Sequence, residues 1–254
     1  ARLLPRDLTN SAQILSPLAF GVFFIVQQIL YPLRIGGGDS GTAFTQPVLT
    51  MFAAFVASGV AAMVFSRVAL TGLSVEGKHF WIIQSSPISP RQLVLAKFVV
   101  ALLPYSVLSG ALIVLFEGAR LIRTAVDARL SLTAALGLVD VPIILYAWFV
   151  TIVVGAGVVA VSLAIGAARP NLKWDSPHEM MTPDVGCLSI VFYGVYAAVT
   201  LPALALPAAI SRFPMLDHVW AYWVAGLTIG LGTTAVVVVG SLWLAAREVP
   251  CSSA

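Results

Sequence analysis

The sequence predicts an all-α polytopic membrane protein, a bundle of six transmembrane helices with short cytoplasmic elbow helices, forming one transmembrane domain over residues 1–254. Three observations carry that expectation. Only 10% of the residues are charged while 59% are hydrophobic, and the mean hydropathy is +0.98. A water-facing surface usually needs about a quarter charged residues, so most of this exterior has to face lipid. Six intervals lack Asp, Glu, Lys and Arg for at least 19 residues, close to the roughly 20 that a membrane helix requires. These runs are continuously apolar rather than alternating, which excludes barrel strands, and a segment that must satisfy its own backbone in lipid takes the helical form.

The spans are expected at 8–33, 48–66, 98–116, 141–168, 185–211 and 219–246. The first starts after Thr9 or Asn10, either of which can cap it, and ends before Tyr31-Pro32. The link 34–46 holds Gly36, Gly37, Gly38 and Gly41; without a preceding strand or a following Lys-Ser/Thr it reads as a surface turn, not a phosphate loop. The second span begins near Pro47, a favoured early helical position. Its Ala53, Ala54, Ala57, Ser58, Gly59, Ala61 and Ala62 permit close helix approach, which places it centrally. The third helix runs from about Leu93 to Phe116 with a kink at Pro104. Residues 117–140 mix charges with Leu, Ile and Val, and form either an amphipathic helix on the outer surface or an extension of that helix.

The fourth span carries Gly155, Gly157, Ser162 and Gly166, again a close-packing pattern, and leaves through Arg169-Pro170 into a second polar elbow, 171–184. Pro202 and Pro207 bend the second half of the fifth, with a short re-entrant piece as one outcome. The sixth ends before Arg247-Glu248. The chain does not begin with Met and shows no cleavable signal peptide, as for a start inside a longer polypeptide or after processing.

With the N-terminus in the cytoplasm, that side holds Arg2, Arg6, Arg67, Lys78, Arg91, Lys97, Arg169, Lys173 and Arg247. The other holds Arg34, Arg120, Arg123, Arg129 and Arg212. The excess puts both termini and both polar elbows inside.

Several chemistries are absent. No Gly-x-x-x-x-Gly-Lys-Ser/Thr occurs, so ATP is not bound in that manner. Cys187 and Cys251 form no CxxC, and His79, His178 and His218 form no metal-ligand spacing; His178-Glu179 alone lacks further ligands. No catalytic residue, metal or cofactor is expected in this chain, and no nucleic-acid partner. No charge falls in the central part of any span, which argues against proton-coupled transport and fits an amphipathic substrate. Gln27, Gln28, Ser109, Thr151, Ser162 and Thr200 read as hydrogen bonds between helices.

The interval 74–97 is the longest that mixes charge, aromatic residues and helix-start signals. Ser86-Pro87 ends one segment, since a residue before Pro avoids the helical region. Ser89-Pro90 offers an N-cap with Pro at the first helical position, and Arg91 to Lys97 continue into the third span. Upstream, Phe80, Trp81, Ile82 and Ile83 sit beside Glu76, Lys78 and His79. That surface suits anchorage in the headgroup belt first, and second a knob that docks in a groove of a cytoplasmic partner.

These residues resemble a known pattern. Glu76-Gly77-Lys78-His79-Phe80-Trp81-Ile82-Ile83, then Ser86-Pro87-Ile88-Ser89-Pro90-Arg91-Gln92-Leu93 and Lys97, are similar to the region between the second and third helices of ABC-2-type permeases. The Glu-Gly-x-x-Phe-Trp variant most resembles a bacterial ABC exporter family, whose later Pro-x-x-x-Trp-Asp/Glu-x-Pro element is matched by Pro170, Trp174, Asp175 and Pro177. The resemblance implies an exporter's permease subunit in the bacterial cytoplasmic membrane. Its partners would be a separate P-loop ATPase carrying ATP and Mg, a second permease copy or half, and membrane lipids. By position Glu76 and Gly77 belong to the elbow helix, and Ser89, Pro90, Arg91 and Leu93 to the coupling helix, with Phe80, Trp81, Pro87 and Lys97 completing the contact region. Family members are longer, with this motif pair in their later half, so the chain corresponds to a C-terminal half, a half-size relative, or a permease-like subunit that assembles with another membrane complex without transport.

Overall fold

The computed structural model describes residues 17, 19–27, 41–79, 88–127, 137, 139–170, 183–210 and 219–249. Among them five helices are long and apolar enough to cross a membrane: α1 (Gly41–Leu70), α2 (Pro90–Asp127), α3 (Val141–Ala168), α4 (Pro183–Ile210) and α5 (Val219–Glu248). The expectation of a multi-pass helical bundle holds. Of the first expected span, residues 17 and 19–27 are helical and the remainder lies outside the described residues.

One boundary differs from expectation, and two open alternatives resolve. The turn expected through residue 46 gives way to helix at Gly41; nothing in Thr42-Ala43-Phe44-Thr45-Gln46 breaks a helix, and Pro47 removes only one backbone donor. The charged stretch after Phe116 takes the second of its two forms, since α2 continues to Asp127. The fifth expected span is neither broken nor re-entrant: α4 runs through Pro202 and Pro207 as one helix. Pro207 removes the donor for the Ala203 carbonyl, and α5 covers that carbonyl so closely that a Cβ on Gly226 would lie 2.4 Å from it. One residue further, Tyr146 donates to the Leu204 carbonyl at 2.7 Å. Neighbouring helices thus occupy the weakened stretch, which is how Pro is tolerated in a membrane helix.

The α3 helix is the post of the bundle, with 67% of its span buried against 17% for α5. It packs against all four other helices, whereas the α1–α2 pair touches the α4–α5 pair only narrowly. Two triplets therefore share α3, and each is closed by the same device. Tyr105 of α2 lays its ring on Gly155 and exchanges a 2.7 Å hydrogen bond with Ser58 of α1. Tyr196 of α4 lays its ring on Gly157 and bonds Thr234 of α5 at 2.7 Å, while also donating to the Val153 carbonyl. Without water to compete, a phenol that both fills a glycine notch and satisfies its hydroxyl specifies one helix register. Of the polar residues expected to join helices, Thr151 donates to Ser109 across α3 and α2 at 3.3 Å.

Candidate functional site

The connection between α1 and α2 is built at the end of the bundle where α1 and α3 cross. A Cβ on Gly166 would lie 2.1 Å from the Leu70 carbonyl oxygen, so the two backbones meet directly. The chain then turns: the Thr71 amide and hydroxyl both donate to the Arg67 carbonyl at 3.0 Å. A short 3₁₀ helix (Ser74–His79) follows. Leu73 and Ser74 are buried beneath it. Leu73 joins Ala69, Val94, Phe98, Leu163, Ala167, Ala245 and Val249 in one apolar cluster, so α1, α2, α3 and α5 all converge under the elbow.

The helix start expected at Ser89-Pro90 is present with its geometry. The Gln92 amide donates to Ser89 Oγ at 3.3 Å and Gln92 Oε1 accepts from the Ser89 amide at 3.1 Å. This reciprocal capping box satisfies two donors that a helix start leaves open, and Pro90 at the first position has no amide to satisfy. The Leu93 amide then donates to the Ser89 carbonyl at 3.1 Å. Ser89→Ala should therefore cost about 1 kcal/mol of stability, read as a lower thermal midpoint in detergent.

Two sequence-predicted residues 21 positions apart are brought together. Lys97, about two turns into α2, donates to Glu76 Oε1 at 2.5 Å. Both side chains remain partly exposed, at 26% and 30%. An ion pair at that exposure adds little stability, because water screens it; its consequence is geometric, since it ties the 3₁₀ turn to the α2 shaft. Glu76→Gln should leave the melting midpoint within about 2 °C of the parent, corresponding to at most about 0.5 kcal/mol.

Arg91 is exposed and Ile88 is 50% exposed, so both face away from the bundle. Leu93 does not present itself in the same way: it is half-buried and packs against the apolar cluster below. Gly77 lies in the 3₁₀ helix and Pro170 directly follows the end of α3. Phe80, Trp81 and Pro87 of the first elbow, and Trp174, Asp175 and Pro177 of the second, lie outside the described residues. Sequence reasoning missed Gln92 as the partner that completes the cap; the Ser-x-x-Gln spacing is the signal that identifies it.

Gly72-Leu73-Ser74-Val75-Glu76-Gly77-Lys78 meets the glycine and lysine positions of a phosphate loop, with His79 where Ser or Thr would stand. Its setting is wrong for phosphate. A membrane helix precedes it instead of a strand, Leu73 and Ser74 point into the core, and Glu76 adds a negative charge. The segment is a structural bend. Among the described residues no cluster of His, Cys, Asp and Glu is suited to a metal ion.

A family model described as "Putative ATP-binding cassette" matches residues 1–249. No curated protein and no solved structure matches the chain.

Proposed function

The chain belongs to the ABC-2-type permease family, and from that premise we propose that it is the membrane subunit of an exporter in a bacterial cytoplasmic membrane, driven by a separate P-loop ATPase. The elbow faces the cytoplasm and is the surface the ATPase pushes. One observation carries this reading: the 3₁₀ turn after α1 is tied to α2 by the Glu76–Lys97 pair, and the capped start of α2 presents Ile88 and Arg91 outward. An anchor that only rests in headgroups has no need of that bracing.

Force applied at Arg91 passes along α2 through Val94 and Phe98 into the cluster that contains Leu163 and Ala245, and so reaches α3 and α5. Leu93 serves this inner contact, not the partner. The subunit supplies coupling geometry while bond-breaking chemistry stays on the ATPase. Within the membrane, α3 carries no charged residue and the charges of α2 lie near its two ends. An amphipathic or lipid-like substrate suits such an interior, because an ionic one would meet the full cost of desolvation.

The test is isolation of the full chain from native membranes with every stoichiometric partner identified, for the parent and for Arg91→Glu. A P-loop ATPase should accompany the parent, and charge reversal at an exposed arginine anchor should weaken its retention at least about tenfold. Unchanged retention would remove Arg91 from the interface. Isolation with other membrane subunits and no ATPase would establish an assembly role without transport. A cysteine replacing Arg91 that labels from outside the cell would invert the orientation.

A further inference from the structure

Arg67, Arg91 and Arg247 at the elbow end are treated differently from Arg120 at the other. At the end away from the elbow, Arg120 is paired with Glu117 at 2.7 Å and donates to Thr50 of α1 at 3.3 Å. At the elbow end Arg67, Arg91 and Arg247 are exposed, and none is paired with a carboxylate among the described residues. Arg247 is nevertheless held in place: its guanidinium lies 3.7 Å above the centre of the Trp243 ring, one turn earlier on α5.

A guanidinium drawn to a ring by its charge keeps hydrogen-bonding capacity for an anion. The guanidinium N–H groups have the planar fork geometry that suits a phosphate. Below Arg247 the same side of α5 is apolar and uncovered. Val236, Val239 and Trp243 are 75%, 69% and 47% exposed, at spacings of three and four residues that put them on one face. From Val236 to Arg247 the face rises about 16 Å. A charged fork at the top, an indole at the level where tryptophan favours the membrane boundary, and an apolar strip beneath together match one kind of molecule.

We propose that the outer face of α5 is a binding site for an anionic phospholipid, with the phosphate on Arg247 and an acyl chain along Trp243, Val239 and Val236. Charge complementarity selects the occupant: the positive group is held over Trp243 and has no carboxylate partner among the described residues, and an anionic leaflet attracts basic residues at the membrane surface. The site belongs to the elbow end of the bundle and does not depend on what drives the elbow.

The test uses the full chain in nanodiscs of phosphatidylcholine carrying graded phosphatidylglycerol, with native mass spectrometry counting the lipids retained on release. The parent should retain phosphatidylglycerol in preference to phosphatidylcholine. Arg247→Gln should reduce that preference about fivefold, the share of one basic residue near an anionic surface, whereas Arg247→Lys should keep part of it. Trp243→Leu should weaken retention without any change of charge. Both positions are exposed, and unfolding in pure phosphatidylcholine should show the variants as stable as the parent. Equal retention by the parent and Arg247→Gln would overturn the site. Release of the bound species by inorganic phosphate alone would make it a free-anion site. A disulfide between two copies carrying Trp243→Cys would show the face taken by a second chain.

Discussion

Gly166→Ala is expected to be the most damaging single methyl group in the molecule. The added carbon would lie 2.1 Å from the Leu70 carbonyl oxygen and 2.8 Å from its carbonyl carbon. These are backbone atoms at the end of α1, so no rotamer change relieves the contact. Either α3 separates from α1 or the first elbow shifts. Overpacking of this kind costs about 3 kcal/mol, a melting midpoint lower by roughly 10 °C in detergent. The control is Gly118→Ala on α2, where nothing lies within 4 Å of the added carbon and helix propensity favours alanine by about 1 kcal/mol. Similar midpoints for the two variants would mean that α1 and α3 do not meet as described.

The second large effect is expected at Gly155. A Cβ there would lie 2.0 Å from the ring of Tyr105, which is fully buried and so has nowhere to rotate. Gly155→Ala should destabilise the bundle by about 2–3 kcal/mol. Tyr105→Leu alone should also destabilise, since it removes ring volume and the bond to Ser58. The combination separates the packing explanation from a general intolerance of α3. Leucine frees the space the new methyl group needs, so the double variant should be more stable than the sum of the single effects by at least about 1 kcal/mol. Additive losses would show that Tyr105 does not fill the Gly155 notch. The matching cycle at Gly157 and Tyr196 should behave alike, because that notch is as tight, at 2.2 Å.

The long elements were legible because lipid imposes a simple rule: an uncharged run of sufficient length must become helix. α3 occupies Val141–Ala168, the expected interval to the residue, because Asp140 and Arg169 bracket it. The start of α1 was not legible in the same way. Water-exposed helix ends depend on local turns, and Gly41 and Pro47 read as stops when the surrounding residues were in fact compatible with helix. The prolines of α4 misled for a related reason. Their cost lies in an unsatisfied carbonyl, and the answer to it, Gly226, lies on another helix.

The candidate site divides along the same line. Ser89-Pro90 could be read as a helix start from four adjacent residues, and the cap is there. The Glu76–Lys97 pair could be anticipated only through resemblance, since residues 21 apart across a bend share no periodicity. The glycine notches carry a partial signal, for small residues announce close approach without naming what approaches. Leu93 shows the limit of motif reasoning: it stands in the coupling segment, yet the fold turns it inward.

α2 has 38 residues, a length of about 57 Å, and the hydrocarbon layer takes only about 30 Å of it. The surplus makes the helix a rod whose two tips stand in different compartments. A tilt begun beside Arg91 would then be legible at Arg123 or Thr124 as a displacement in the opposite solution. A fluorophore on that far tip would report what a motor does on the near one, with no probe having crossed the bilayer.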